Sequence, residues 1–459
     1  MDEGGKPEKL LVFKPYKHQE EAIDFVLRSR NSFLWHEVGL GKTMSAVLAT
    51  RTALARIRNH RNPLIQSKAP KALIIPPTYL VPQWRSEVLD KTPDRMNQIV
   101  YLPYSQLHRA KTLLSYYDVR VIIMDESHLL KNPSTERMRA FQTMLEAVNK
   151  TGFRDGKMIT LTGTPIPNNA SEMYTTWAML SAPNLDEAVR RLKDNKRYLN
   201  WNSLFCQKQL KKLPDHAAKK AKRSRVYETL GGVANPEKFY EVIKGFTHYK
   251  TAEECLDLPQ KIETFVDLGI SDDRLLQDAD IEKPVAYMAL VERLSQAMAP
   301  HAIKWIKDFI DANPHERLVV FCPHVTPLKR IKEHFGEKVG LIVGGESSVK
   351  QRDDIKKKYD SGECPIIAGT YAAMSTGYNL QKGFNSLYVN YPWSPKIIRQ
   401  AQGRTNRSGQ VKRTRHTFLM SGENAKKVLR DLRAKEAGIN SVEEQFRLND
   451  DPHGFMDLI

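Results

Sequence analysis

Cysteine is scarce in this chain. Its 459 residues hold four, at 206, 255, 322 and 364, and none forms a CxxC pair. Such spacing argues against both a disulfide framework and a zinc site, and it fits a reducing compartment. Long apolar runs are missing as well. No stretch approaches the ~20 residues of a membrane-spanning helix, and the opening "MDEGGKPEKL" lacks the apolar core of a secretion signal. The expectation is a cytoplasmic protein (nuclear if the source is eukaryotic), without membrane association and monomeric. Neither a sequence repeat nor a low-complexity tract is present. Acidic residues are in deficit: 53 Asp and Glu face 71 Lys and Arg, for a formal charge of +18. That excess attracts polyanions, but alone it does not separate a nucleic-acid binder from a merely basic protein.

What the chain does have is a series of short apolar runs that stop at polar or glycine-rich turns. "KALIIPPT", "VRVIIMDESH" and "KMITLTGTP" precede residue 166; "RLVVFCPH", "KVGLIVGG", "CPIIAGTY" and "NSLYVNYPW" follow residue 316. Runs of this length without alternation read as strands buried on both faces of a parallel sheet. Helix-forming stretches such as "TMSAVLATRTALARI" lie between them, so two doubly wound α/β domains are expected, with ligands at the carboxyl ends of the strands. Residues 182–258 lack a convincing strand and are read as a basic helical insertion, between a first domain at 1–181 and a second at 259–459. Eight of the residues in "QKQLKKLPDHAAKKAKRSR" (207–225) are Lys or Arg.

Four motifs carry chemistry. "FLWHEVGLGKTMSA" (33–46) ends like a phosphate-binding loop, with Gly39, Gly41, Lys42 and Thr43, although His36 stands where the loop pattern has glycine. Strand-like residues precede it and a helix follows, the setting in which backbone N–H groups hold phosphates. Lys42 would neutralise the β- and γ-phosphates of ATP, and Thr43 would bind Mg²⁺. In "VIIMDESH", Asp125 and Glu126 form an acidic pair at a strand end; Asp125 can support Mg²⁺, and Glu126 can take the proton of an attacking water. "LTGTPIPNN" places Thr162 and Thr164 where they can sense that pair. "QAQGRTNRSGQ" spaces Arg404 and Arg407 one helical turn apart, suited to the charge on a transferring phosphoryl group. Each motif alone has a bland surface reading. Together, in this order, they do not.

With those residues in hand, the chain resembles a Swi/Snf-type DNA-dependent ATPase of helicase superfamily two, from about residue 10 to 415. "FKPYKHQEEAIDF" is similar to the adenine-recognition segment, which makes Gln19 the base reader. "HEVGLGKT" resembles the family's "DEMGLGKT", so the absent glycine is expected and His36 replaces an Asp. "ALIIPPTYLVPQWRSEV" is similar to the first DNA-contacting stretch, with Thr78, Trp84 and Glu87. "DESHLLKN", "LTGTPIPNNASEMYTTWAML" and "LDLPQKIE" match in turn. In the second half, the resemblance implies DNA contacts by Thr370 and Trp393, and a coupling role for Gln400 beside Thr162 and Thr164. "TYAAMSTGYNL" stands for "STRAGGLGINL", "NYPWSPK" for "DPDWNPQ", and Asn406 for a His between the arginines. These departures favour a minimal bacterial or phage member. The resemblance implies two RecA-like lobes sharing one ATP·Mg²⁺ site, and translocation on double-stranded or branched DNA. Strand separation or branch migration is the alternative, and an ATP-switched binding module a second one.

Overall fold

The computed structural model describes residues 14–59, 70–91, 97–114, 116–150, 153, 156–212, 226–270, 284–344, 346–374, 379–392 and 394–449. Two six-stranded parallel sheets organise them. The first comprises β1 (Asn31–His36), β2 (Pro70–Ile75), β3 (Ile99–Tyr101), β4 (Asp118–Asp125), β5 (Lys157–Leu161) and β8 (Thr247–Lys250), in the order β3-β2-β4-β5-β1-β8. The second comprises β9 (Lys261–Asp267), β10 (Leu318–Cys322), β11 (Val339–Ile342), β12 (Ile366–Thr370), β13 (Asn385–Val389) and β14 (Thr414–Met420), in the order β11-β12-β10-β13-β14-β9. The two-lobed α/β expectation holds.

Side-chain alternation explains why the strands read as unbroken apolar runs. On β1, Phe33 and Trp35 enter one core while Leu34 enters the core on the opposite face. On β10, Val319 and Phe321 face one way, Leu318, Val320 and Cys322 the other. Both faces are covered by helices, so neither set can be polar. Helices Lys17–Arg28, Lys42–Asn59 and Val81–Lys91 cover one face of the first sheet.

Two features differ from the sequence expectation. Residues 182–258 are not a purely helical insertion. After helices Leu185–Lys193 and Asn195–Phe205, β6 (Gln207–Lys212) pairs antiparallel with β7 (Val226–Gly231), and β8 returns to the edge of the first sheet against β1. "THYK" is too short and too polar to signal a strand; pairing with Phe33–His36 makes it one. Most of the basic run 207–225 lies outside the described residues.

The second difference is at the other end. Helix Gly422–Asn449 follows β14 but does not stay with the second sheet. Ile439, Val442 and Phe446 are buried in the first lobe's core, and Phe446 packs 4.8 Å from Tyr240 and 5.4 Å from Tyr249. On its way the helix meets Arg399 of the second lobe, which donates to Glu436 (3.2 Å), Glu443 (2.9 Å) and Asn440 (2.7 Å). The chain's last described helix thus joins both lobes. Among the described residues no helix is long and apolar enough to cross a membrane.

Candidate functional site

The strand order decides what meets. β4, β5 and β1 are neighbours, so the residues that follow them, Glu126, Thr162 and the loop after His36, converge at one edge of the sheet. This is the carboxyl edge, where ligands bind in such folds.

Gly39 and Gly41 adopt φ of 98° and 72°, which side-chain-bearing residues rarely adopt. Gly41 is also crowded: a Cβ there would lie 2.3 Å from Gln19 Nε2. Lys42 begins the next helix, and its Nζ donates to the carbonyls of His36 (2.7 Å) and Glu37 (3.1 Å). Burial lowers the pKa of this ammonium, while Glu126 and Asp125 act to raise it. Thr43 follows on the same turn, partly exposed.

Behind the loop, His36 is fully buried and shares a 2.7 Å hydrogen bond between its Nε2 and His248 Nδ1 on β8. Burial, then His248 and Lys42, hold its imidazole neutral well below the usual range. Gln19 is buried too. Its Oε1 accepts from Tyr16 N (3.1 Å) at the cap of its own helix, and its Nε2 donates to Leu40 O (3.2 Å), so the amide ties the cap of the first helix to the loop.

The acidic pair is built asymmetrically. Asp125 is buried; its Oδ2 accepts from Trp84 Nε1 at 2.7 Å and its Oδ1 from Glu126 N at 2.9 Å. Burial and the adjoining Glu126 push its pKa up, against the pull of Trp84 and Lys42. Glu126 has φ 50°, a left-handed turn that swings its side chain back over β5. There its Oε2 accepts from Thr162 Oγ1 (3.2 Å) and lies 3.0 Å from His128 Nδ1. Burial would raise this carboxyl, but His128, helped by Lys396 and Lys42, takes it below the ordinary value. Thr164 N donates to Thr162 Oγ1 (3.1 Å), which chains the "TGT" segment to the acid.

The second lobe closes over this edge. Arg404 and Arg407 are brought to the loop, though not along a helix: helix Pro395–Gln402 ends before them, and they lie on the turns that follow. A Cβ on Gly39 would lie 3.2 Å from Arg407 Cβ. Arg404 is close enough to Lys42 and Glu126 for its charge to act on the first and feel the second. Tyr16 Oη and Ser408 Oγ, 3.3 Å apart, bridge the lobes on the outer side. Beside the site runs an interlobe cavity of about 780 Å³, lined by Val38, Thr164, Gln402, Asn406 and the last helix.

Other expected residues are placed as follows. Gln400 is buried on helix Pro395–Gln402 but makes no hydrogen bond to the acidic pair. Thr78 is exposed, with its hydroxyl 2.8 Å from that of Ser105. Thr370 is buried, and its Oγ1 accepts from Ala373 N (3.3 Å), capping a short helix. Trp393 lies outside the described residues. Trp84 does not face outward with its neighbours; it is 1% exposed and turned onto Asp125. The pairing of Trp84 with Val88, four residues on, is the amphipathic spacing that signals an inward face. Lys396, half-buried in the first turn of helix Pro395–Gln402, was also missed. Its ammonium is held down at about 8 by burial, with Glu126 acting the other way.

Known proteins share this organisation. The SNF2-related domain model matches residues 18–103 and 95–226, and the helicase conserved C-terminal domain model matches 301–409. The chain is 23% identical over 426 residues to a Xenopus tropicalis SWI/SNF-related matrix-associated actin-dependent regulator of chromatin subfamily A-like protein 1, covering 88% of this chain and 42% of that one. It is 24% identical over 473 residues to the Bacillus subtilis uncharacterized ATP-dependent helicase YqhH, covering 90% and 76%. The chain therefore spans about two-fifths of the Xenopus relative's length. A solved structure of S. cerevisiae Dbp5 bound to RNA and ADP BeF3 shares the fold, with a TM-score of 0.50 at 14% identity, covering 94% of this chain and 88% of that one. From its two matched domains and the motif order that joins them, the chain belongs to the Swi/Snf-type helicases of superfamily two.

Proposed function

We propose that this chain is a DNA-dependent ATPase that moves along double-stranded DNA by opening and closing its two lobes. The observation that carries the reading is the split site. Lys42, Thr43, Asp125 and Glu126 come from one lobe, Arg404 and Arg407 from the other, and they converge at a single cleft. A site divided in this way lets nucleotide occupancy decide the distance between lobes.

Lys42, parked on two carbonyls, is free to exchange them for the oxygens of a bound triphosphate. The Thr43 hydroxyl and the Asp125 carboxylate are hard oxygen donors at one sheet edge, a set that suits Mg²⁺ sharing its shell with phosphates and water. Mg²⁺, when bound, neutralises charge on the phosphates during transfer. Glu126 stays ionised, and its Oε2 is fixed by Thr162 and His128. It can therefore accept the proton of a water that attacks the γ-phosphorus while the bond to the ADP oxygen breaks. The arginines offset the charge that builds on the transferring group.

The formal charge of +18 and the exposed Thr78 segment support DNA as the track. Contacts to the phosphate backbone would make binding insensitive to sequence and steeply salt-dependent. Measuring ATP turnover with duplex, single-stranded and four-way DNA, with triplex displacement and forked-duplex unwinding under the same salt, tests the reading. Duplex should stimulate at least as well as single strands, and a third strand should be displaced. Strong unwinding without triplex displacement would make the chain a strand-separating helicase. Turnover indifferent to every DNA would make it an ATP-switched binding module.

A further inference from the structure

Helix Val81–Lys91 has two faces with different tasks. Gln83, Arg85 and Ser86 are exposed, on the stretch that faces DNA in the motor reading. Trp84 and Val88 point the other way, into the core shared with β4 and helix Lys42–Asn59. Val88 needs only space there. The indole carries an N–H that must be satisfied once it leaves water, and it is given to a carboxylate oxygen, Asp125 Oδ2, at 2.7 Å. The other oxygen takes Glu126 N at 2.9 Å. Both oxygens are thus oriented before any cation arrives, one from the acid's own chain and one from the helix.

A phenylalanine or leucine would fill this apolar core without placing a donor in it. A donor aimed at Asp125 has a chemical consequence, because partners that orient a metal-binding carboxylate typically change metal affinity or activity 10–100-fold. Tyr79 lies just ahead on the same segment, half exposed, beside the second lobe's Arg404. One short stretch therefore meets a residue from each half of the ATP site.

We propose that Trp84 is a positioning residue: it holds Asp125 in the orientation that binds Mg²⁺ and transmits DNA engagement on its helix to the ATP site. This rests on the motor reading above.

Two measurements test it. In Trp84→Phe, which keeps a ring but loses the N–H, the Mg²⁺ concentration for half-maximal binding of a fluorescent ADP should rise about tenfold. DNA stimulation of turnover should fall by a similar factor, while DNA affinity stays as in the unaltered protein. An unshifted Mg²⁺ midpoint in a folded variant overturns the proposal. The second measurement needs no altered protein in the sample of interest: the ¹⁵N indole resonance of Trp84, assigned by its loss in the variant or by relaxation from Mn²⁺, should move when duplex DNA is added without nucleotide. The resonances of Trp177 and Trp201, which pack on each other with centroids 5.0 Å apart in the opposite core, should not. A Trp84 resonance unmoved by DNA that stimulates turnover overturns the relay alone. Absence of any DNA stimulation in the unaltered protein overturns the motor reading and the relay with it.

Discussion

The ring of Phe446, three residues before the end of the described chain, stands edge-on to that of Trp35 on the first strand, with centroids 5.6 Å apart. The second lobe is thereby anchored in the core of the first by its own final helix. Phe446→Ala should destabilise the protein by about 3–5 kcal/mol, the usual cost of an emptied aromatic site. It should also loosen the second lobe, so that two thermal transitions replace one. Calorimetry reads both effects, and a single transition at the original temperature would contradict them.

Lys42→Ala and Glu126→Gln should each nearly abolish ATP hydrolysis while leaving DNA affinity in place. The first removes charge facing the phosphates, and the second removes the proton acceptor that Thr162 and His128 hold. Glu126→Gln should still bind ATP. Turnover close to that of the unaltered protein, from either variant, would remove these residues from the site.

Arg404→Ala and Arg407→Ala should lower the maximal rate far more than they weaken nucleotide binding. An arginine that acts on the transferring phosphoryl group contributes ~10³-fold or more. Steady-state kinetics at saturating DNA decide the point. A raised KM with the maximal rate intact would assign both arginines to simple binding.

Gln19 separates two roles that one side chain could have. Its amide is engaged at both ends by backbone of the helix cap and the loop. Gln19→Ala should therefore raise KM for ATP and GTP by the same factor, because the loop loosens for either. Loss of discrimination between the two would show that Gln19 leaves the loop to read the base.

His416 gives the stability a defined pH dependence. It is fully buried on β14 with Nδ1 3.0 Å from the Tyr388 hydroxyl, and burial, with Lys261 adding, holds its pKa at about 3. The unfolded imidazole titrates near ~6.5. Between those values the unfolded chain binds a proton that the folded one refuses. Stability is thus full above the unfolded value and falls as the pH drops toward the folded one, by up to ~1.4 kcal/mol per pH unit. His416→Gln should remove that component from urea-unfolding free energies measured between pH 4 and 7. An unchanged slope would mean that His416 is protonated in the folded protein.

The strands and their motifs were determined by the sequence alone, for a local reason. A strand covered on both faces must be apolar throughout, so β1, β4, β5 and β10 stand out as runs, and the chemistry begins where each run stops. Gly39, Lys42, Asp125 and Glu126 were legible on those grounds. What the tertiary structure decided is adjacency. The order β4-β5-β1 places Thr162 between the acids and the loop, and no spacing along the chain encodes it. The same holds for β8, a polar tetrapeptide that becomes a strand only against β1, and for Trp84, whose partner is 41 residues away. It holds most of all for the last helix. Nothing along the sequence says which surface it packs on; only the folded chain shows that this is the other lobe.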